Sequence, residues 1–125
     1  MARPNNLYNR KSDKSTRYYS TNQEKAVAKV LGGNRVANSG ATKFSKGDVR
    51  LDNFLIECKT CVSPQKSFTL KKEWFDKNEE ETFAMNKDYS ALAFSFGDGV
   101  NYYVIDERLF KLLVNLLDKE IENGN

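Results

Sequence analysis

The order of apolar and polar positions predicts three helices and a mixed sheet. Ser20 to Gln23 and Thr21 to Glu24 both have capping-box spacing, and Gly32-Gly33 closes the run that follows. A helix over residues 20–31 is predicted, with Val27, Val30 and Leu31 facing inward. Asn34 to Ala37 reads as a short strand. Asp48 to Leu51 and Phe54 to Thr60 alternate with period two around Asp52-Asn53, residues that tolerate the left-handed backbone of a tight hairpin turn. That turn pairs Leu51 with Phe54, Arg50 with Leu55, Val49 with Ile56 and Asp48 with Glu57. Pro64 stops the second strand.

Thr69 is placed to cap a helix from Leu70 to Met85, with Trp74, Phe75, Asn78, Thr82 and Met85 on one side. Glu79-Glu80-Glu81 then falls mostly on the solvated side. Tyr89 to Phe96 reads as a buried strand, Gly97-Asp98-Gly99 as a turn, and Val100 to Ile105 as the return strand. Asp106 caps a last helix reaching Ile121. Its stripe of Leu109, Leu112, Leu113, Leu116, Leu117 and Ile121 suits packing on a sheet face or a dimer seam. A second source of seam surface is the aromatic edge at Phe94, Phe96, Tyr102 and Tyr103, and it is favoured because the sheet needs the leucines for cover. The order of elements is that of a single α/β domain, a mixed central sheet flanked by helices.

The 125 residues suit one domain with one core. No apolar run is long enough for a membrane span, and no apolar h-region follows the basic N-terminus, so neither membrane nor secretory signal is expected. Cys58 and Cys61 have neither a second pair nor a histidine to complete a zinc site, which favours reduced thiols and a cytoplasmic setting, that of a host cell if the chain is viral. The absence of histidine removes Ser-His and Cys-His catalysis. Any metal must be held by oxygen, which suits Mg²⁺ or Mn²⁺.

Residues 1–50 carry 11 Lys and Arg against 3 Asp and Glu, whereas residues 51–125 carry 9 against 14. A basic half suits a polyanionic partner. Residues 1–19 read as a basic flexible arm, with Arg3, Arg10, Lys11, Lys14 and Arg17 among tyrosines, ahead of a domain over 20–125. The small-residue loop Asn38-Ser39-Gly40-Ala41-Thr42 lets a phosphate approach the backbone, with Ser39 as its polar contact. Lys43, Lys46 and Arg50 surround the hairpin, and Lys66, Lys71 and Lys72 follow it.

The chemistry centres on that hairpin. Asp48 and Glu57 stand opposite each other, and two carboxylates across a ladder repel. A divalent cation between them reverses the sign of the interaction. Lys59 shares the face of Glu57, where it can hold or polarise a water, while Phe54, Ile56 and Cys58 supply an apolar opposite face. A surface salt bridge between Glu57 and Lys59 is the plainer alternative. Glu24, along the inward stripe of the first helix, is either a capping-box carboxylate or a contact to the metal.

Gly47-Asp48, eight residues, then Glu57-Cys58-Lys59 resembles the signature of the PD-(D/E)XK nuclease superfamily, with Gly47 where many members have proline. Asn38-Ser39-Gly40-Ala41 and the helix carrying Glu24 resemble the archaeal-type Holliday junction resolvases within it. The resemblance spans residues 20–96. It implies a restriction-endonuclease-like core and a Mg²⁺- or Mn²⁺-dependent endonuclease acting on branched DNA. Asp48, Glu57 and the main-chain carbonyl of Cys58 would hold the metal, Lys59 would orient or deprotonate the attacking water, and Glu24 would contribute to the catalytic group. The two symmetric cuts that resolve a junction suggest a homodimer. A nicking or recombination-associated nuclease, or a binding module without chemistry, would account for the same residues.

Overall fold

A computed structural model describes residues 18–36 and 48–124. The fold is organised by the hairpin of β2 (Asp48–Arg50) and β3 (Phe54–Thr60), whose antiparallel register sets Asp48 against Glu57, Val49 against Ile56 and Arg50 against Leu55. The Leu51 N–H donates to the Phe54 carbonyl at 2.9 Å and closes the turn at Asp52-Asn53, the pairing expected from the residue pattern. β1 (Asn34–Arg35) adds to the outer side of β2. β4 (Tyr89–Ser95) lies parallel to β3, and β5 (Tyr102–Val104) returns antiparallel on β4. The sheet is therefore mixed, in the order β1-β2-β3-β4-β5, with β3 at its centre. Gly97 permits the β4–β5 turn: its φ of +93° is left-handed, and a Cβ there would lie 2.6 Å from the Ser63 carbonyl oxygen.

Side-chain alternation splits β3 into two faces. Ile56 and Cys58 join Val49, Ala91 and Ala93 in a core closed by Val27 of α1 (residues 18–31). On the other face α2 (Lys72–Ala84) forms the crossover between the parallel strands and covers the buried Leu55 and Leu92. Its Asn78 Nδ2 donates to the carbonyls of Leu55 (3.3 Å) and Ala91 (3.1 Å), pinning the helix to both central strands.

Several boundaries differ from the pattern's expectation. Residues 18 and 19 are helical, so Ser20 and Thr21 lie inside α1 rather than capping it. The buried stripe of α1 is Gln23, Glu24 and Val27 with Ala28 beside it, while Val30 and Leu31 are exposed. The helix is turned this way because Gln23 reaches the sheet backbone. Thr69 caps nothing, and α2 begins after Lys71 with no side-chain cap. Phe68 packs on Phe94 and Phe96, at ring centroid distances of 5.4 and 6.3 Å, and so fixes the chain just before the helix.

α3 (Glu107–Asn123) is capped as expected, the Asp106 Oδ1 accepting from the Leu109 N–H at 2.8 Å. The expectation that its leucines cover a sheet face is overturned: Leu109 is its buried residue, and Leu112, Leu113, Leu116 and Leu117 are all exposed. α2 already occupies that side of the central strands. Among the described residues no helix is long and apolar enough to cross a membrane.

Candidate metal centre

The hairpin register brings two acids together, and the crossover helix adds a third. Asp48, Glu57 and Glu81 each offer a carboxylate oxygen, and these atoms lie within 4.8 Å of one another. Lys59 Nζ stands 3.1 Å from Glu57 Oε2 and 4.7 Å from the centroid of the Trp74 ring, so a salt bridge and a cation–π contact hold the ammonium beside the acids. The plainer alternative, a Glu57–Lys59 bridge in open solvent, accounts for one contact but not for the burial around it. Asp48 is 2 % exposed.

Asp48 is where the arrangement is under electrostatic stress. Its Oδ1 is buried without a hydrogen-bond partner among the described residues. Burial first, then the neighbouring Glu57 and Glu81 carboxylates, push its carboxyl from 3.8 up to about 10. Without a counter-ion this group holds a proton at neutral pH, and a buried acceptor without a donor is costly. A hard divalent cation satisfies both demands, since it supplies positive charge and takes oxygen ligands only. The donor set fits such an ion: three carboxylates, in a chain with no histidine.

The other site candidates fall in different places. The Cys58 thiol lies on the opposite face, in the core with Val27 and Val49, where burial raises its pKa, so only its main-chain carbonyl is available to a metal. Glu24 is buried but neither caps α1 nor joins the three-acid group: its Oε1 accepts from Arg35 Nε at 3.0 Å. Arg50 is exposed and lines a cleft of about 500 Å³ with Gly33, Asp52 and Lys87. Lys66, Lys71 and Lys72 are exposed ahead of and at the start of α2. Ser39, Lys43, Lys46 and the arm residues Arg3, Arg10, Lys11, Lys14 and Arg17 lie outside the described residues. Cys58 and Cys61 are free thiols, and Cys61 is only half-buried.

Three participants escape a reading of the charged motif alone. Glu81 is expected in solvent with Glu79 and Glu80. Yet it follows Asn78 by three residues and precedes Thr82 by one, and both neighbours are buried, so it sits at the margin of the inward face. Gln23 Nε2 lies 2.8 Å from the Lys59 carbonyl, 3.3 Å from that of Ala93 and 3.0 Å from Asn101 Oδ1, tying α1 to the end of β3 that carries the lysine. Trp74 sits on the same face of α2 as Asn78 and meets Lys59. Comparison of the chain with protein-family models, curated proteins and solved structures gives no match.

Proposed function

We propose that this protein is a metal-dependent endonuclease that hydrolyses DNA phosphodiesters, with a restriction-endonuclease-like core of the PD-(D/E)XK kind and a four-way junction as its substrate. The observation that carries the reading is the buried, partnerless Asp48 oxygen inside a group of three carboxylates, with a lysine fixed at its edge. Asp48, Glu57 and Glu81, with the Cys58 carbonyl, would hold Mg²⁺ or Mn²⁺. Such an ion supplies an acidified water and charge stabilisation at the phosphate. Lys59 directs its N–H donors at the attacking water and offsets phosphate charge, and Glu57 and Trp74 restrict where that ammonium can go. Gln23 fixes the backbone on which Lys59 stands.

Arg50, Lys66 and Lys71 present positive charge to the phosphates, joined by Ser39, Lys43, Lys46 and the basic arm, while the Lys72 ammonium is offset by Asp76 at 2.9 Å. The junction preference rests on the resemblance to the resolvases. Paired cuts ask for a two-fold homodimer. At the strand edge favoured for its seam, Phe68, Phe94 and Phe96 pack on one another within the chain, while Tyr102 and Tyr103 of β5 stay exposed. The free thiols suit a reducing, cytoplasmic compartment.

The test is incubation of a four-way junction and a sequence-matched linear duplex with Mg²⁺, with Mn²⁺ and with EDTA. Paired cuts in the junction that disappear with EDTA are expected. Equal cutting of both substrates would move the specificity to another duplex nuclease. Tight binding without cutting in any metal would leave a binding module and overturn the enzymatic reading.

A further inference from the structure

On α3 the usual order of polar and apolar surface is reversed. Phe110, Leu113, Val114 and Leu117 are 60, 38, 37 and 62 % exposed. Their spacing of three, four and seven residues makes one continuous stripe. Arg108, Lys111, Leu112 and Asn115 line a cleft of about 590 Å³ between α3 and α2, while none of the four stripe residues does, so the stripe lies outside that cleft, with Lys111 on the flank between the two. Single exposed leucines are ordinary, but a contiguous apolar face marks an interaction site.

The charges of α3 narrow the choice of partner. Three basic residues, Arg108, Lys111 and Lys119, stand against four acidic ones, Glu107, Asp118, Glu120 and Glu122, which gives no basic field to attract DNA or an anionic lipid surface. Asp118 follows Lys111 by seven residues, so the two lie on the same flank of the stripe. When two such helices pair antiparallel about a two-fold axis, Lys111 of each copy comes opposite Asp118 of the other. A self-complementary pattern of this kind is what an isologous contact requires.

We propose that the Phe110–Leu117 stripe of α3 is the interface between two copies of this chain, packed antiparallel with Lys111 and Asp118 paired across the two-fold. The inference stands on α3 alone and does not depend on the chemistry assigned to the acidic site.

Sedimentation equilibrium from about 1 to about 100 µM, with circular dichroism as a check on folding, tests it. The wild-type chain is expected to reach twice the monomer mass. Leu117→Glu is expected to raise the dimer dissociation constant about a hundredfold, because a symmetric contact is damaged at two places at once. Lys111→Glu should weaken the dimer about tenfold, and Lys111→Glu with Asp118→Lys should restore it, since swapping both charges recreates the pair. A wild-type monomer throughout the range, or a dimer unmoved by Leu117→Glu, would overturn the interface. A double variant no tighter than Lys111→Glu alone would overturn the antiparallel register. A wild-type monomer that binds anionic vesicles through Leu117 would assign the face to a lipid surface and overturn the second copy as its occupant.

Discussion

The acidic pocket and the outer face of α3 break the same rule in opposite directions. In the pocket, Asp48 is buried with two further carboxylates beside it; on α3, Phe110 and Leu117 lie more than half exposed. Neither arrangement helps this chain to fold by itself, since buried unpaired charge and exposed apolar surface both oppose folding. Both regions hang on well-packed elements. Val49 and Ile56 beside the acids are fully buried, and Leu109 with the Asp106 cap fixes the start of α3. The contrast separates two kinds of incompleteness: under the proposed reading a cation would complete the pocket, and apolar surface from a second copy would complete α3. A missing charge and a missing surface should respond to different perturbations.

The largest expected effect is on the pocket's chemistry. Lys59→Ala or Glu57→Gln should reduce DNA cleavage about a thousandfold or more, as removal of a group that acts on the developing charge does. Binding to the junction should be retained, and in Glu57→Gln it should tighten, because a negative charge facing phosphate has gone. Single-turnover cleavage with a parallel gel-shift titration separates the two. Normal cleavage by Lys59→Ala would reduce the Glu57–Lys59 contact to a structural ion pair.

Next in size is a gain of stability. Asp48→Asn keeps the shape of the side chain and needs no proton taken up on folding, so the metal-free protein should become more stable by about 1–3 kcal/mol at neutral pH, measured by urea denaturation. A loss of stability would mean that Asp48 is already balanced within the fold. The same proton uptake has a pH signature. The folded-state pKa of Asp48 is raised from 3.8 to about 10, so the folded chain keeps a proton that the unfolded chain releases. The stability linked to that proton is fully present below 3.8 and is lost as pH rises towards about 10. Wild-type stability without metal should therefore fall between about pH 6 and about pH 9, and Asp48→Asn should flatten the slope. Equal slopes for the two proteins would remove Asp48 as its source.

The hairpin was readable because a two-residue turn leaves one register that puts Ile56 and Cys58 on a single apolar face, and Asp48 opposite Glu57 follows directly. The mixed sheet was readable in outline from a helix between two strand pairs, but the parallel pairing of β3 with β4 was not. Glu81 was obscured by its place in a run of three glutamates, where average polarity hides the phase of one residue. Gln23 was obscured because a side-chain amide bonding to a distant strand carries no periodic signal. The rotation of α1 and the exposure of α3 depend on which helix takes which sheet face, and apolar periodicity counts greasy positions without saying what covers them.

The smallest expected effect is a control on the comparison. Val30 of α1 is 77 % exposed but stands apart from any stripe. Val30→Lys should change stability by less than about 0.5 kcal/mol and leave the oligomeric state alone, as isolated surface substitutions do. An effect on mass as large as that of Leu117→Glu would mean that exposure alone, and not a contiguous face, governs association.

The most direct test is a Mn²⁺ titration followed by thermal unfolding on wild type, Asp48→Asn and Glu81→Gln, with calorimetry for the affinity. Wild type should bind the ion and gain about 2.7 kcal/mol at a hundred times the dissociation constant. Both variants should bind about tenfold or more weakly, because each removes a charged ligand. Asp48→Asn would then start above the metal-free wild type and rise little when Mn²⁺ is added. A wild type that gains nothing from Mn²⁺ or Mg²⁺, or variants that gain as much as it does, would contradict a cation site at Asp48, Glu57 and Glu81.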